Sequence, residues 1–255
     1  MGSISITLTG GCSRGSPTTE QRNGGARALL ARHTVRGCHM AYSLRPGITY
    51  TWVGEVPFLL DINRNRYFKL TPRAADALLR LERRGNQKCD DLKLLSSFGI
   101  LQETHEDSLI QPVLELPSIK KSYFEEPLRT SLKYIAIAAI DQFWSFIAIR
   151  CVGLPVAVAQ LRKRTQRRPC QRNTPSLAHL IGAYRFVDLF LSAESRCLVR
   201  SFGLARSLTR YGITFALAIG VRTGPFGAHC WVQIEDKSLS DNRDKAREYT
   251  PIMVL

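Results

Sequence analysis

Three residues that can carry out thiol chemistry stand in the last quarter of the chain: Cys197, His229 and Asp241. Residues 195–212 (SRCLVRSFGLARSLTRYG) predict a helix with Cys197 in its first turn, and a helix N-terminus favours a thiolate over a thiol. A histidine on an adjacent strand can accept the thiol proton and later protonate a leaving amine. A following carboxylate can hold the imidazole in one tautomer. Together these residues predict a nucleophilic cysteine site.

Each of these residues also has a purely structural interpretation. A cysteine in a helix is usually a core residue. His229 lies in the apolar run PFGAHCWVQI (225–234), where a histidine is more often a buried structural residue than a catalyst. Asp241 stands in SDN, which is also good turn chemistry. Cys230 is a competing thiol, but it alternates with His229 along the strand and is predicted to face the opposite side.

The elements predicted around these residues are helices followed by two strands. Residues 127–150 and 174–190 predict helices, and residues 213–221 and 228–236 predict two strands joined by the turn RTGP. Asp241 is predicted at the start of the strand that follows. The helix of 195–212 has one apolar face and a glycine stop, formed by Leu198, Phe202, Ala205, Leu208 and Gly212.

The first half of the chain has a different pattern. Residues 48–54 and 56–70 are β-rich, with a polar NRN turn inside the second run. Residues 71–85 predict a helix with Thr71 as N-cap and Pro72 at its first position. Residues 89–101 predict a second helix. These elements predict a small winged-helix-like module, and the whole chain is therefore predicted to be α+β.

Composition sets the remaining boundaries. Residues 1–40 are rich in Gly, Ser, Thr and Arg and are predicted to be a disordered basic extension, with Met40 as a second possible start. We predict a first domain over 41–106, a linker over 107–122 and a second domain over 123–255. The run of 160–172 holds six basic residues without an acid and is predicted to be a solvated loop or a contact for an acidic partner.

Charge and cysteine content narrow the environment. The net charge of +15 indicates an acidic partner without choosing among nucleic acid, membrane or protein. Seven scattered cysteines without a Cys-x-x-Cys pair predict neither a metal site nor a disulfide framework, and they fit a cytoplasmic protein. The apolar stretch of 134–149 is broken by Asp141 and Gln142, so we predict a buried helix and no stable membrane insertion.

These segments resemble a known family. SRCLVRSFGLARSLTRYGITFALAIGV, PFGAHCWVQI and YTPIMVL resemble the transglutaminase-like cysteine protease of lasso-peptide biosynthesis, the B protein. The separations of 32 residues (229 − 197) and 12 residues (241 − 229) match that family's Cys-His-Asp triad. FLLDINRNRYFKLTPRAADALLRL resembles the PqqD-like leader-recognition element of the fused form. One departure is Cys230, where alanine is most common. The resemblance covers residues 42–255.

The resemblance implies a papain/transglutaminase-like protease domain that cleaves the leader from a ribosomally made precursor peptide. Cys197 would be the nucleophile, His229 the general base and acid, and Asp241 the orienting carboxylate. The freed core would then be closed into a macrolactam by a partner, the asparagine-synthetase-like C protein. ATP would act through that cyclase, and this chain would bind no cofactor.

The family also implies that the leader adds as a strand to the edge of the small sheet, beside the last helix. The matching segments are Arg66–Leu70 and Asp90–Phe98. The residues predicted to line that groove are Tyr67, Phe68, Leu70, Leu92 and Leu95. Any one of them could equally be a core residue. Alternation means that Tyr67 and Phe68 cannot face the same side.

Two other functions remain open. A winged-helix-like module with a large positive charge also fits a DNA-binding regulator, but CDDLKLLSSF begins with two acids, which is unfavourable for phosphate contacts, and we predict no nucleic acid partner. A transglutaminase or deamidase acting on glutamine side chains would use the same thioester chemistry. The fused leader-recognition element favours peptide cleavage.

Overall fold

The computed structural model describes residues 41–83, 89–104, 110–127, 129–166, 176–190 and 196–255. The predicted extension of 1–40, with its possible start at Met40, lies outside them. The strands are β1 (Ala41–Leu44), β2 (Ile48–Val53), β3 (Val56–Asp61), β4 (Arg66–Lys69), β5 (Leu101–Thr104), β6 (Lys121–Ser122), β7 (Ala216–Thr223), β8 (Phe226–Ile234), β9 (Lys237–Ser238) and β10 (Thr250–Val254). The helices are α1 (Pro72–Glu82), α2 (Cys89–Ser97), α3 (Leu132–Ile147), α4 (Leu154–Gln166), α5 (Leu177–Val187), α6 (Arg196–Tyr211) and α7 (Arg243–Arg247). The predicted α+β class is confirmed.

The first module contains β1 to β5 with α1 and α2. Strands β2, β3 and β4 form an antiparallel sheet in that order, and β1 pairs with β5. Gly54 (φ 61°) and Asn65 (φ 49°) take the left-handed conformation that the two tight turns of this sheet require. Thr71 is the residue before α1 and Pro72 is its first residue, as predicted, although the Thr71 side chain makes no capping hydrogen bond.

The second module is built on a five-stranded sheet in the order β10-β7-β8-β9-β6. Helix α6 packs on it with Phe202, Ala205 and Leu208, all at most 3% exposed, and with the half-buried Leu198, which confirms the predicted apolar face. Gly212 ends this helix at φ 71°, a conformation that glycine adopts without strain. The two predicted strands are confirmed as β7 and β8.

The two modules share one hydrophobic core. Leu60 and Ile62 of the first module are buried in the same cluster as the residues of α6 and β7. The ring of Phe58 stacks on Phe226 with centroids 6.3 Å apart. A second cluster, formed by residues of α1, α2 and β2, belongs to the first module alone. Because Leu60 and Ile62 lie beneath the second module, β3 and β4 are fixed against it.

The predicted linker of 107–122 is more structured than expected. Its first three residues lie outside the described residues. The amide of Val113 donates to the carbonyl of Tyr50 (3.0 Å), and Lys121–Ser122 form β6, which pairs with β9. The two prolines remove amide donors, but the amides of Lys120 and Lys121 donate to the carbonyl of Asp236 in the second module (2.7 and 3.3 Å). This segment therefore joins the modules along its length.

Two predictions about the helices were wrong. Residues 134–149 form α3, which is not a buried helix: Phe143 and Trp144 are 59% and 53% exposed. Its polar side chains turn inward instead, because Asp141 is ion-paired with Arg206 and Arg210 of α6. Residues 160–166 are not a loop but the end of α4, where good helix formers surround the buried Leu161. Residues 167–172 of the predicted loop lie outside the described residues.

Candidate active site

Cys197 is the second residue of α6 and is half-buried. Its position confirms that it lies in the first helical turn. The first amides of a helix have no partner within the helix and carry partial positive charge. They stabilise negative charge on the sulfur, and they are also placed to donate to an oxygen that becomes negative next to it.

His229 lies on β8 and is 4% exposed. Its imidazole stacks on Trp231 with ring centroids 6.2 Å apart, and the ring of Tyr249 lies 5.1 Å away. Trp231 in turn packs over Gly220 on β7, where an added Cβ would lie 2.7 Å from the indole. Residue 220 must therefore be a glycine for Trp231 to pack in this position beside the imidazole. The rings of Trp231 and Tyr249 restrict the orientation of the imidazole.

Asp241 lies in the loop between β9 and α7, not at the start of a strand as predicted, because β9 ends at Ser238. Its Oδ2 lies 2.9 Å from Nε2 of His229. The Asp241 backbone is held by two serines: Oγ of Ser122 donates to its carbonyl (2.6 Å), and its amide donates to Oγ of Ser238 (3.3 Å). The loop thus holds the carboxylate at the imidazole, which leaves Nδ1 to face the thiol.

Arg200 is a component of the site that the sequence prediction did not include. It lies one helical turn after Cys197 and is 5% exposed. Its Nη2 lies 2.9 Å from Oδ2 of Asp241, and its Nη1 donates to Oδ2 of Asp188 (2.6 Å). The guanidinium therefore bridges two buried carboxylates and holds Asp241 in place. The signal in the sequence is an arginine at i+3 from the cysteine, on a helix otherwise packed against the core.

The electrostatics of the three residues favour an ion pair. Burial opposes ionisation of Cys197, but the hydrogen bond and charge of His229 and a backbone hydrogen bond from Cys230 outweigh it, so the thiol pKa is lowered. Burial would lower the pKa of His229, but its hydrogen bonds with Asp241 and Cys197 raise it. Despite burial, the pKa of Asp241 is lowered by His229 and Arg200. A thiolate beside an imidazolium is the reactive form of a cysteine nucleophile.

Comparison with known proteins identifies the superfamily of this part of the chain. A family model described as the transglutaminase-like superfamily matches residues 147–254, which include Cys197, His229 and Asp241. Residues 147–254 are a transglutaminase-like domain. Searches of curated proteins and of solved structures each found no match. Transglutaminase-like domains are typically those of cysteine proteases or acyltransferases, which agrees with the geometry of the three residues.

The pKa shifts predict how the reactivity of the transglutaminase-like domain depends on pH. The thiolate of Cys197 should persist below the ordinary thiol pKa, and the imidazolium of His229 should persist above the ordinary histidine pKa. We therefore expect alkylation of Cys197 by iodoacetamide to be fast at neutral pH, with its inflection below that of glutathione. Peptide mass mapping at each pH separates Cys197 from Cys89 and Cys151. An inflection at or above that of glutathione would contradict the ion pair.

The five predicted leader-binding residues do not line one groove. Tyr67 faces the transglutaminase-like domain, where its ring lies 5.9 Å from that of Phe226. Burial, followed by the charges of Cys230 and Cys197, raises the pKa of Tyr67 to about 12. Phe68 faces the helices of the first module. The other three, Leu70, Leu92 and Leu95, are at most 7% exposed in that module's core.

The other cysteines have different environments. Cys230 is buried in the shared core, and burial raises its thiol pKa well above the ordinary value. This thiol is therefore not a competing nucleophile. Cys89 and Cys151 are exposed, and Cys12, Cys38 and Cys170 lie outside the described residues. Among the described residues, no group of three or more Cys, His, Asp or Glu is arranged to hold a metal ion.

Proposed function

We propose that this protein is the leader peptidase of a lasso-peptide pathway, which cleaves a ribosomally made precursor peptide between leader and core. The observation that carries the proposal is the position of Tyr67: its ring lies 5.9 Å from that of Phe226, on the same strand as His229, and packs against the core cluster that contains Cys230. A peptide held by the first module would thus be close to the nucleophile. The proposal also uses the resemblance of the first module to a PqqD-like element.

The geometry supports a two-step hydrolysis. The thiolate of Cys197 attacks the carbonyl carbon between leader and core, and the amides at the start of α6 stabilise the resulting oxyanion. His229 gives its proton to the leaving nitrogen, so the core departs with a free amino terminus and the leader remains as a thioester. His229 then takes a proton from water, which hydrolyses the thioester. Asp241 stabilises the imidazolium when the ring is protonated and orients the neutral imidazole between the two steps.

The leader would bind along β4. Of the described strands, only β3 pairs with β4, so the outer edge of β4 offers backbone groups to an added strand. The partly buried Phe68 would contact the leader beside that edge, and Leu70, Leu92 and Leu95 would support it from the core of the first module. We further propose a cytoplasmic location, the C-protein cyclase as partner, no cofactor on this chain, and ATP acting through the cyclase.

A second function is supported by the same match. The transglutaminase-like superfamily also fits acyl transfer, and a glutamine side chain can form the same thioester with Cys197. Reaction with water would give deamidation, and reaction with an amine would give a crosslink. Both reactions keep the peptide backbone intact, so the mass of the product distinguishes them from cleavage.

The test is intact mass spectrometry of a lasso precursor peptide incubated with the full chain, with and without the cyclase and ATP. Wild type should release a leader fragment, and Cys197→Ala should bind the precursor without cutting it. Cys151→Ala removes an exposed thiol outside the site and should cut normally. Cutting by Cys197→Ala would refute the nucleophile. A deamidation mass shift or a crosslinked product would replace the peptidase with the second function.

A further inference from the structure

Helix α3 has its polar side inside the protein. Asp141, Gln142 and Ser145 are at most 2% exposed. Oδ2 of Asp141 accepts a hydrogen bond from Ser207 (2.6 Å), and its Oδ1 accepts one from Arg210 (2.7 Å). Most surface helices bury their apolar side, because that removes hydrocarbon from water. This helix is held by charge and hydrogen bonds to α6, and by Ala138, Tyr134 and Ile135, which pack against the shared core.

The outer face of α3 is consequently apolar and open to solvent. It consists of Lys133, Ala136, Ile140, Phe143, Trp144 and, at its end, Arg150, all of them exposed. The ring centroids of Phe143 and Trp144 lie 6.1 Å apart on this face, where the two side chains are 59% and 53% exposed. Exposed aromatic clusters of this kind mark interaction sites.

The segment of the sequence that contains the outer face is rich in positive charge. Between residues 127 and 190 the sequence has ten arginines and lysines and two acids, Asp141 and Asp188. Both acids are buried and ion-paired, so neither presents a negative charge to the surface. The exposed Lys133 and Arg150 stand at the two ends of the outer face, and Arg162 and Lys163 are exposed on α4. An apolar face flanked by cations complements an anionic lipid surface.

We propose that the outer face of α3 binds the surface of an anionic lipid membrane, with the helix parallel to the membrane plane. Residues 132–152 are long and apolar enough to cross a bilayer. A crossing would carry the ion-paired Asp141 into hydrocarbon or break its pairs with α6, whereas lying on the surface keeps them. A second copy of this chain is disfavoured because it would bring another net charge of +15 against the first.

The test is co-sedimentation of the full chain with vesicles of phosphatidylcholine alone or of phosphatidylcholine with phosphatidylglycerol. We expect binding to the mixed vesicles that weakens as salt rises. The emission of Trp144 should shift to the blue on binding, and the shift should be lost in Trp144→Phe. Phe143→Gln/Trp144→Gln should weaken binding by roughly tenfold or more. Lys133→Gln/Arg150→Gln should weaken it by about fivefold per charge.

Phe98→Gln is the matched control, because Phe98 is an exposed aromatic of the first module at 42% exposure. It should bind vesicles as wild type does. Equal binding by the outer-face variants, or no binding to the mixed vesicles at low salt, would overturn the proposal. If the outer face of α3 instead binds a second copy of this chain, or binds only an acidic protein, the membrane proposal is overturned and that partner takes its place. The outcome is independent of peptide cleavage, so either proposal can fail alone.

Discussion

Replacement of His229 by glutamine is expected to lower the rate of thioester formation by about 10³- to 10⁴-fold. The imidazole supports the thiolate of Cys197 through a hydrogen bond and a positive charge, and it is the proton donor for the leaving group. Glutamine can hydrogen-bond in a similar volume but cannot carry the proton. Burial, which opposes ionisation of Cys197, would then dominate, so the thiol pKa should rise.

The measurement is single-turnover peptide cleavage together with the pH dependence of Cys197 alkylation, on wild type and His229→Gln. Both the rate and the alkylation inflection should change in the same variant. His179→Gln is a suitable control, since His179 lies on α5 beside Tyr134, outside the site. Retention of wild-type cleavage by His229→Gln would remove the imidazole from the mechanism.

Arg200→Met is expected to have the largest effect on stability, lowering the free energy of unfolding by about 3–5 kcal/mol at neutral pH. The guanidinium holds two buried carboxylates, Asp188 and Asp241. Without it, both negative charges remain in a medium that solvates them poorly. Cleavage should also fall, because Asp241 loses the partner that fixes it against His229.

Urea unfolding monitored by circular dichroism measures this loss, and Arg243→Met is the control. Arg243 and Asp244 form an ion pair on the surface, so loss of this pair should change the free energy of unfolding by less than about 1 kcal/mol. The pKa of Asp241 is lowered in the folded protein. Its pairing therefore stabilises the fold at pH values above the pKa of this carboxyl in the unfolded chain, and that stabilisation is lost as pH falls through the folded pKa. The difference in the free energy of unfolding between wild type and Arg200→Met should therefore become smaller at acidic pH. A loss as small as that of Arg243→Met would show that Arg200 is dispensable.

The sequence carried enough information to predict the central geometry of the site. The position of Cys197 at a helix start and of His229 on a strand follows from local apolar periodicity and from turn residues. Arg200 could not be predicted in the same way, because its role depends on Asp188 and Asp241 arriving from two other segments. Nor could the contact of Tyr67 with Phe226, which depends on how the modules pack.

The orientation of α3 shows why periodicity alone is insufficient. The apolar positions of residues 134–149 have a helical period whether that side faces the core or solvent. What decides the orientation is Asp141, whose partners Arg206 and Arg210 lie on another helix far along the chain. A buried ion pair thus overrode the ordinary preference for apolar burial.

The shared core has a consequence for how the chain loses structure. Leu60 and Ile62 belong to the first module by sequence but are buried beneath the second, so neither module can unfold without exposing hydrocarbon of the other. Heating should therefore melt both in one cooperative transition. Occupation of the edge of β4 would then raise the melting temperature of the catalytic half as well, since stabilising one part of a cooperative unit stabilises all of it.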